Sequence, residues 1–142
     1  MTRTAMRRHQ RPVVFQPKAN VPMVTETRDR LALQIRMAGE SLIEHPSIDA
    51  YNTLSKMLAS LSRAGMASAL LDRGTNVMNT ICDRYEQSRH ITVESEEATV
   101  LRQNIVDIDA ALHRLAVQRF NKAVAEVETF FTVATAQPTN EK

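Results

Sequence analysis

Between Ser95 and Ala136 the chain has neither Gly nor Pro, and its apolar residues recur at Leu101, Ile105, Ile108, Leu112, Ala116, Phe120, Ala123, Val127 and Phe130. Steps of three and four residues place them on one face of a helix. As one uninterrupted helix this segment would run on the order of 60 Å at 1.5 Å per residue, whereas a compact domain of this length has a radius of gyration of roughly 14–15 Å. The helix is therefore expected to form the spine of the fold and to overhang it. Three consecutive steps of four between Ile108 and Phe120 straighten or locally reverse a heptad supercoil, as a stutter does. Ile105, Leu112, Phe120, Val127 and Phe130 are too many for three shorter helices to cover, so they are expected to form a homo-oligomer interface, most simply a dimer. A helix–helix break near Arg119 is the alternative.

Three shorter helices are expected before it. Thr25 or Thr27 can cap the first, Glu26 and Asp29 suit the positive end of its dipole, and Leu31, Ile35, Ala38 and Leu42 form its stripe up to His45-Pro46. Ser47 caps a second helix with Asp49 in its first turn and Tyr51, Leu54, Leu58 and Leu61 inward; Gly65 stops or kinks it. A third runs from about Met66 to Arg89, with Leu70, Val77 or Met78, Ile81 and Tyr85 inward and Gly74 as a weak point. Glu94, Glu96 and Glu97 supply negative charge for a new start near Ser95. The expected fold class is all-α: a bundle of about four helices over residues 25–136, with a long C-terminal helix, an extended arm over 1–24 and a disordered tail over 137–142.

At 142 residues the chain is long enough for one ordinary domain and too short for two. With no Trp and only six Phe and Tyr residues, its core must be aliphatic and Met-rich. The single cysteine, Cys82, cannot form an internal disulfide, which points to a reducing cytoplasm or to indifference about redox state. No stretch approaches the roughly 18 apolar residues that span a bilayer, and Arg and Gln interrupt the N-terminus before Val13, so a secretory signal is not expected. These features predict a soluble protein of the cytoplasm with no membrane partner.

The charge is unevenly placed. Residues 1–25 carry Arg3, Arg7, Arg8, Arg11 and Lys18, five of the 18 Lys and Arg, and none of the 16 Asp and Glu; the rest carries 13 against 16, a net −3. A basic arm thus joins a body that is not basic. The field of such an arm draws it to a polyanion or to an acidic protein groove, and each phosphate it neutralises releases counterions. Pro12, Pro17 and Pro22 recur every five residues and keep the arm extended. Val13, Val14 and Phe15 can dock on the body or on a partner. Arg3, Arg7, Arg8, Arg11, Phe15 and Lys18 are accordingly the candidate residues for binding nucleic acid or a host protein complex.

No catalytic motif accompanies them. The sequence has no Gly-rich phosphate loop, no His-Glu-x-x-His, no nucleophile elbow and no Cys-x-x-Cys. Asp109 and His113, like Glu86 and His90, stand four residues apart, which reads as helix support rather than as a metal site. Cys82 reads as a small buried hydrophobe. No catalytic residue, metal or cofactor is assigned, and an enzyme is not expected. A helix-turn-helix with Gly65 at its turn would put bulky Leu61 where a small residue is needed and Gly74 where an apolar contact is needed. Its recognition helix would open with Met66, Ala67 and Ser68, which read base edges poorly. Nucleic-acid contact is therefore expected from the arm and mainly to phosphates.

Arg7-Arg8-His9-Gln10-Arg11-Pro12 with Pro17-Lys18, followed by LALQIRMAGESLIEHPSIDAYNTLSKMLASLSRAGM and a long terminal helix, resembles small uncharacterised basic-armed α-helical proteins of proteobacterial phages and prophages, some of them labelled regulator-like. The resemblance implies a phage or mobile-element origin and a bacterial host cytoplasm, and it carries over no catalytic residue. Two function classes follow. One is a non-enzymatic regulatory or accessory protein whose arm lies on nucleic-acid phosphates. The other is a protein-binding inhibitor of a host nucleic-acid-handling or defence complex, with a structural virion component as a third possibility.

Overall fold

The computed structural model describes residues 25–136, with side chains as far as Phe130. Five α-helices follow one another among these residues: α1 (Thr25–Glu44), α2 (Ile48–Arg63), α3 (Ser68–Ser88), α4 (Ser95–Ala111) and α5 (Val117–Ala136), with a 3-10 turn at Leu112–Arg114 between the last two. No strand forms among the described residues, so the all-α expectation holds.

Local chemistry sets most helix ends. The Ser47 hydroxyl accepts the Ala50 N–H at 3.0 Å and caps α2. At the other end Gly65 takes φ 106°, a conformation that costs Gly little, and the Met66 and Gly65 N–H groups reach back to Leu61 and Ser62 carbonyls at 3.0 and 3.1 Å. That is a Schellman stop, closed by the buried pair Leu61 and Met66. Helix α3 therefore starts at Ser68 rather than Met66, and it ends on Arg89 in the left-handed region at φ 64°. Glu94 and Glu97 form a reciprocal capping box at the start of α4, with the Glu94 N–H donating to Glu97 Oε1 at 2.9 Å.

Helices α1 to α4 close a ring in which α1 meets α2 and α4, and α3 meets α2 and α4, while α5 packs chiefly on α2. Ile35, Leu42, Leu54, Leu61, Ile81, Leu101, Ile108 and Leu112 fill the centre with exposures below 2%. The buried residues are aliphatic with Met66 and Met78, and Tyr51 and Phe120 pack against them from the edge. On α3, Met78 and Ile81 are buried as expected, but towards its start Leu71 and Gly74 are buried in place of Leu70, which like Tyr85 is only half-buried.

The C-terminal segment is not one long helix. After the 3-10 turn Leu115 is extended (φ −81°, ψ 142°), and α5 restarts with the Phe120 N–H on the Ala116 carbonyl. The break therefore lies at 112–116, ahead of Arg119. Each backbone bond given up costs about 1 kcal/mol net. Folding back buries Leu112, Leu115, Ala123 and Val127, and each large aliphatic fully buried contributes about 1.5–3 kcal/mol. Burial outweighs the propensity for a continuous helix, as tertiary packing commonly does.

Gly74 is a packing position rather than a weak point. A β-carbon there would overlap Asn104 Oδ1, and one at Gly39 would overlap Ile105 Cδ1, so the two glycines let α3 and α1 approach α4 closely. Asn104 is buried, and its Nδ2 donates to the Leu70 carbonyl across the α3–α4 seam. Gly74→Ala is expected to destabilise by about 1–2 kcal/mol although Ala is the better helix former by about 1 kcal/mol, because the new methyl pushes a buried amide away from the carbonyl it donates to. Thermal unfolding followed by circular dichroism checks this; a raised midpoint would contradict it.

Candidate functional site

The arm residues singled out by charge, Arg3, Arg7, Arg8, Arg11, Phe15 and Lys18, lie outside the described residues. The body to which they connect, at Thr25, is described in detail. Most of its ion pairs join one helix to another. Arg102 grips Glu40 with two hydrogen bonds at 2.7 and 2.8 Å and reaches Glu44 at 3.4 Å, tying α4 to α1. These bonds, with the charge of Arg102, hold the Glu40 carboxyl below its ordinary range. Arg84 pairs with Glu97 and donates to the Thr92 carbonyl at 2.8 Å, bracing the α3–α4 turn. Burial works to raise the Glu97 carboxyl, but the Arg84 guanidinium and the Glu94 N–H hold it below its ordinary value. Lys56–Glu128 at 3.2 Å and Arg63–Glu126 at 2.9 Å fasten α2 to α5.

The fold-back of α5 creates a cationic pocket that no stretch of sequence displays. Arg63 at the end of α2, with Arg119 and Lys122 on the first turns of α5, lines a cavity of about 320 Å³ together with Ala123 and Glu126. Three cations face one carboxylate. The Arg119 guanidinium lies over Gly65, where an added β-carbon would stand 3.4 Å from its Nη2. Arg63 and Glu126 also border a second cavity of about 350 Å³ whose other walls include Ala59, Val127 and the exposed Phe130. A planar or apolar group carrying an anionic substituent matches this pair of cavities in charge and polarity.

The expected interface residues are mostly inside the chain's own core. Ile105, Leu112 and Val127 are buried, Phe120 is half-buried against the core, and only Phe130, at 68%, is well exposed. The apolar stripe thus does not stand open, because the break at 112–116 divides it between two packed helices.

Ending α4 at Ala111 moves His113 into the 3-10 turn, away from a regular helical register with Asp109; His90 likewise lies beyond the end of α3, its N–H on the Ser88 hydroxyl. Cys82 is half-buried. Burial pushes the Tyr51 phenol up, and its hydroxyl donates to the Met78 carbonyl at 3.0 Å, a structural bond between α2 and α3. Among the described residues no three His, Cys, Asp or Glu side chains gather as a metal site would need, and no helix is long and apolar enough to cross a membrane. No family model, curated protein or solved structure matches the chain.

Proposed function

We propose that this chain is a non-enzymatic regulatory or accessory protein of a phage or mobile element, acting in the host cytoplasm, whose basic arm engages the phosphates of a nucleic acid. The observation that carries this reading is the segregation of charge: five cations and no acid in residues 1–25, against a net −3 in the remainder. A body of that sign does not coat nucleic acid by itself, so the affinity resides in the arm. Arg63, Arg119 and Lys122 offer the body's best-placed phosphate contact, since they converge on one cavity. The helical ring then serves as the rigid carrier for the arm.

A second reading is favoured by Val13, Val14 and Phe15, a short apolar run set between the arm's cations Arg11 and Lys18. In it the arm enters an acidic groove of a host nucleic-acid-handling or defence complex and blocks it. Salt dependence separates the two. With a labelled duplex DNA and the intact protein, log K against log salt is expected to be linear with a slope near −4, since each of four or five phosphate contacts contributes about −0.9. A slope near zero, or no binding at low salt, rejects the nucleic-acid reading and leaves the protein groove, whose apolar share survives high salt.

A further inference from the structure

We infer that a second copy of this chain exchanges α5 with the first, by straightening of the break at 112–116 into one helix, so that each α5 packs on the α2 of its partner. The stripe from Leu101 to Phe130 takes eight steps over 29 residues, or 3.6 per step, and so keeps one helical phase straight through the break. A segment that only ever folded back would have no need of that continuity. At the break Leu115 stands extended between two helical stretches, Leu112–Arg114 is already a 3-10 turn, and no Gly or Pro fixes the reversal. The conversion needs few backbone rotations.

What α5 leaves behind determines its replacement. The ring of α1 to α4 closes without it, and among the described residues α5 packs chiefly on α2, through buried Ala123 and Val127 and the pairs Lys56–Glu128 and Arg63–Glu126. Straightening carries α5 off that surface and exposes apolar residues of both helices. The surface left open presents Lys56 and Arg63 at the spacing that Glu128 and Glu126 complement, and a second α5 restores the same pairings. Exchange of an identical element through a short hinge is a low-cost route to a dimer.

The test uses two full-length variants, one with Lys56→Glu and Arg63→Glu, the other with Glu126→Lys and Glu128→Lys. Each alone sets like charges across its own α2–α5 seam, but in a mixed exchanged dimer all four pairs bring opposite charges together. Mixing is expected to raise the species of twice 16.0 kDa at least tenfold over either variant alone in sedimentation at high micromolar concentration. Adding Val117→Pro to both should abolish it. Val117 opens α5, where its N–H needs no helical acceptor, whereas in a straightened helix proline would delete a bond and clash. If the charge variants fail to fold, wild type and Val117→Pro decide alone: exchange requires a concentration-dependent wild-type dimer that Val117→Pro does not form. A mixture or wild type that stays monomeric, or a dimer indifferent to Val117→Pro, overturns the proposal.

Discussion

Leu112→Asp is expected to unfold the protein, with loss of most helical circular dichroism at room temperature, while His113→Ala one residue away leaves the melting temperature nearly unchanged. Leu112 is 0% exposed and sits in the turn where α1 and α4 meet the 3-10 segment. The residues buried around it are aliphatic, and an uncompensated carboxylate among them costs several kcal/mol, through desolvation or through protonation. Removing the leucine side chain adds about 2–5 kcal/mol, judged from large-to-small core substitutions. Together these approach the 5–15 kcal/mol by which a domain is stable. Ile105→Asp should act likewise, since Ile105 fills the close approach over Gly39. His113 is exposed and lies in the 3-10 turn out of regular helical register with Asp109, so its truncation removes no packed group and should stay within about 0.5 kcal/mol. Unfolding rather than clean dissociation is the expected result, because Leu112 lies within one chain's core. A folded, soluble Leu112→Asp protein would mean that the segment leaves that core at little cost.

Leu112 also marks the boundary of what spacing alone can disclose. Helix ends and faces depend on neighbours within a turn or two, so Ser47, Gly65, the start of α4 near Ser95 and the stripes of α1 and α2 are legible from spacing and cap chemistry. Spacing leaves a break near Arg119 open but neither chooses it over a continuous helix nor places it at 112–116, because the residues there are all competent helix formers and the deciding energy is burial against α1 and α2, tens of residues away. For the same reason the cationic pocket escapes notice: Arg63 and Lys122 become neighbours only after the chain turns back. Asn104 and Gly74 form a further example. A polar residue at a buried position and a glycine inside a helix each read as a fault until they are seen to fit one another.

Removing residues 1–18, or changing Arg7, Arg8 and Arg11 together to Ala, is expected to weaken binding to the partner by an order of magnitude or more while leaving helicity and melting temperature nearly unchanged. The residues removed lie outside every apolar stripe of the body, so the ring keeps its core. The three arginines are the densest part of the arm's charge, and on duplex DNA the salt slope should fall by roughly 0.9 for each phosphate the arm no longer neutralises. Fluorescence anisotropy at several salt concentrations measures both quantities in one experiment. The companion variant Arg119→Ala with Lys122→Ala leaves the arm intact and removes two of the three pocket cations. It should reduce affinity less than the arm deletion and lower the slope by no more than about 1.8, for two phosphates at 0.9 each. The ordering of the two variants locates the binding energy. If the arm-deleted chain binds as well as the intact one and the pocket variant does not, the arm reading fails and recognition belongs to the surface between α2 and α5.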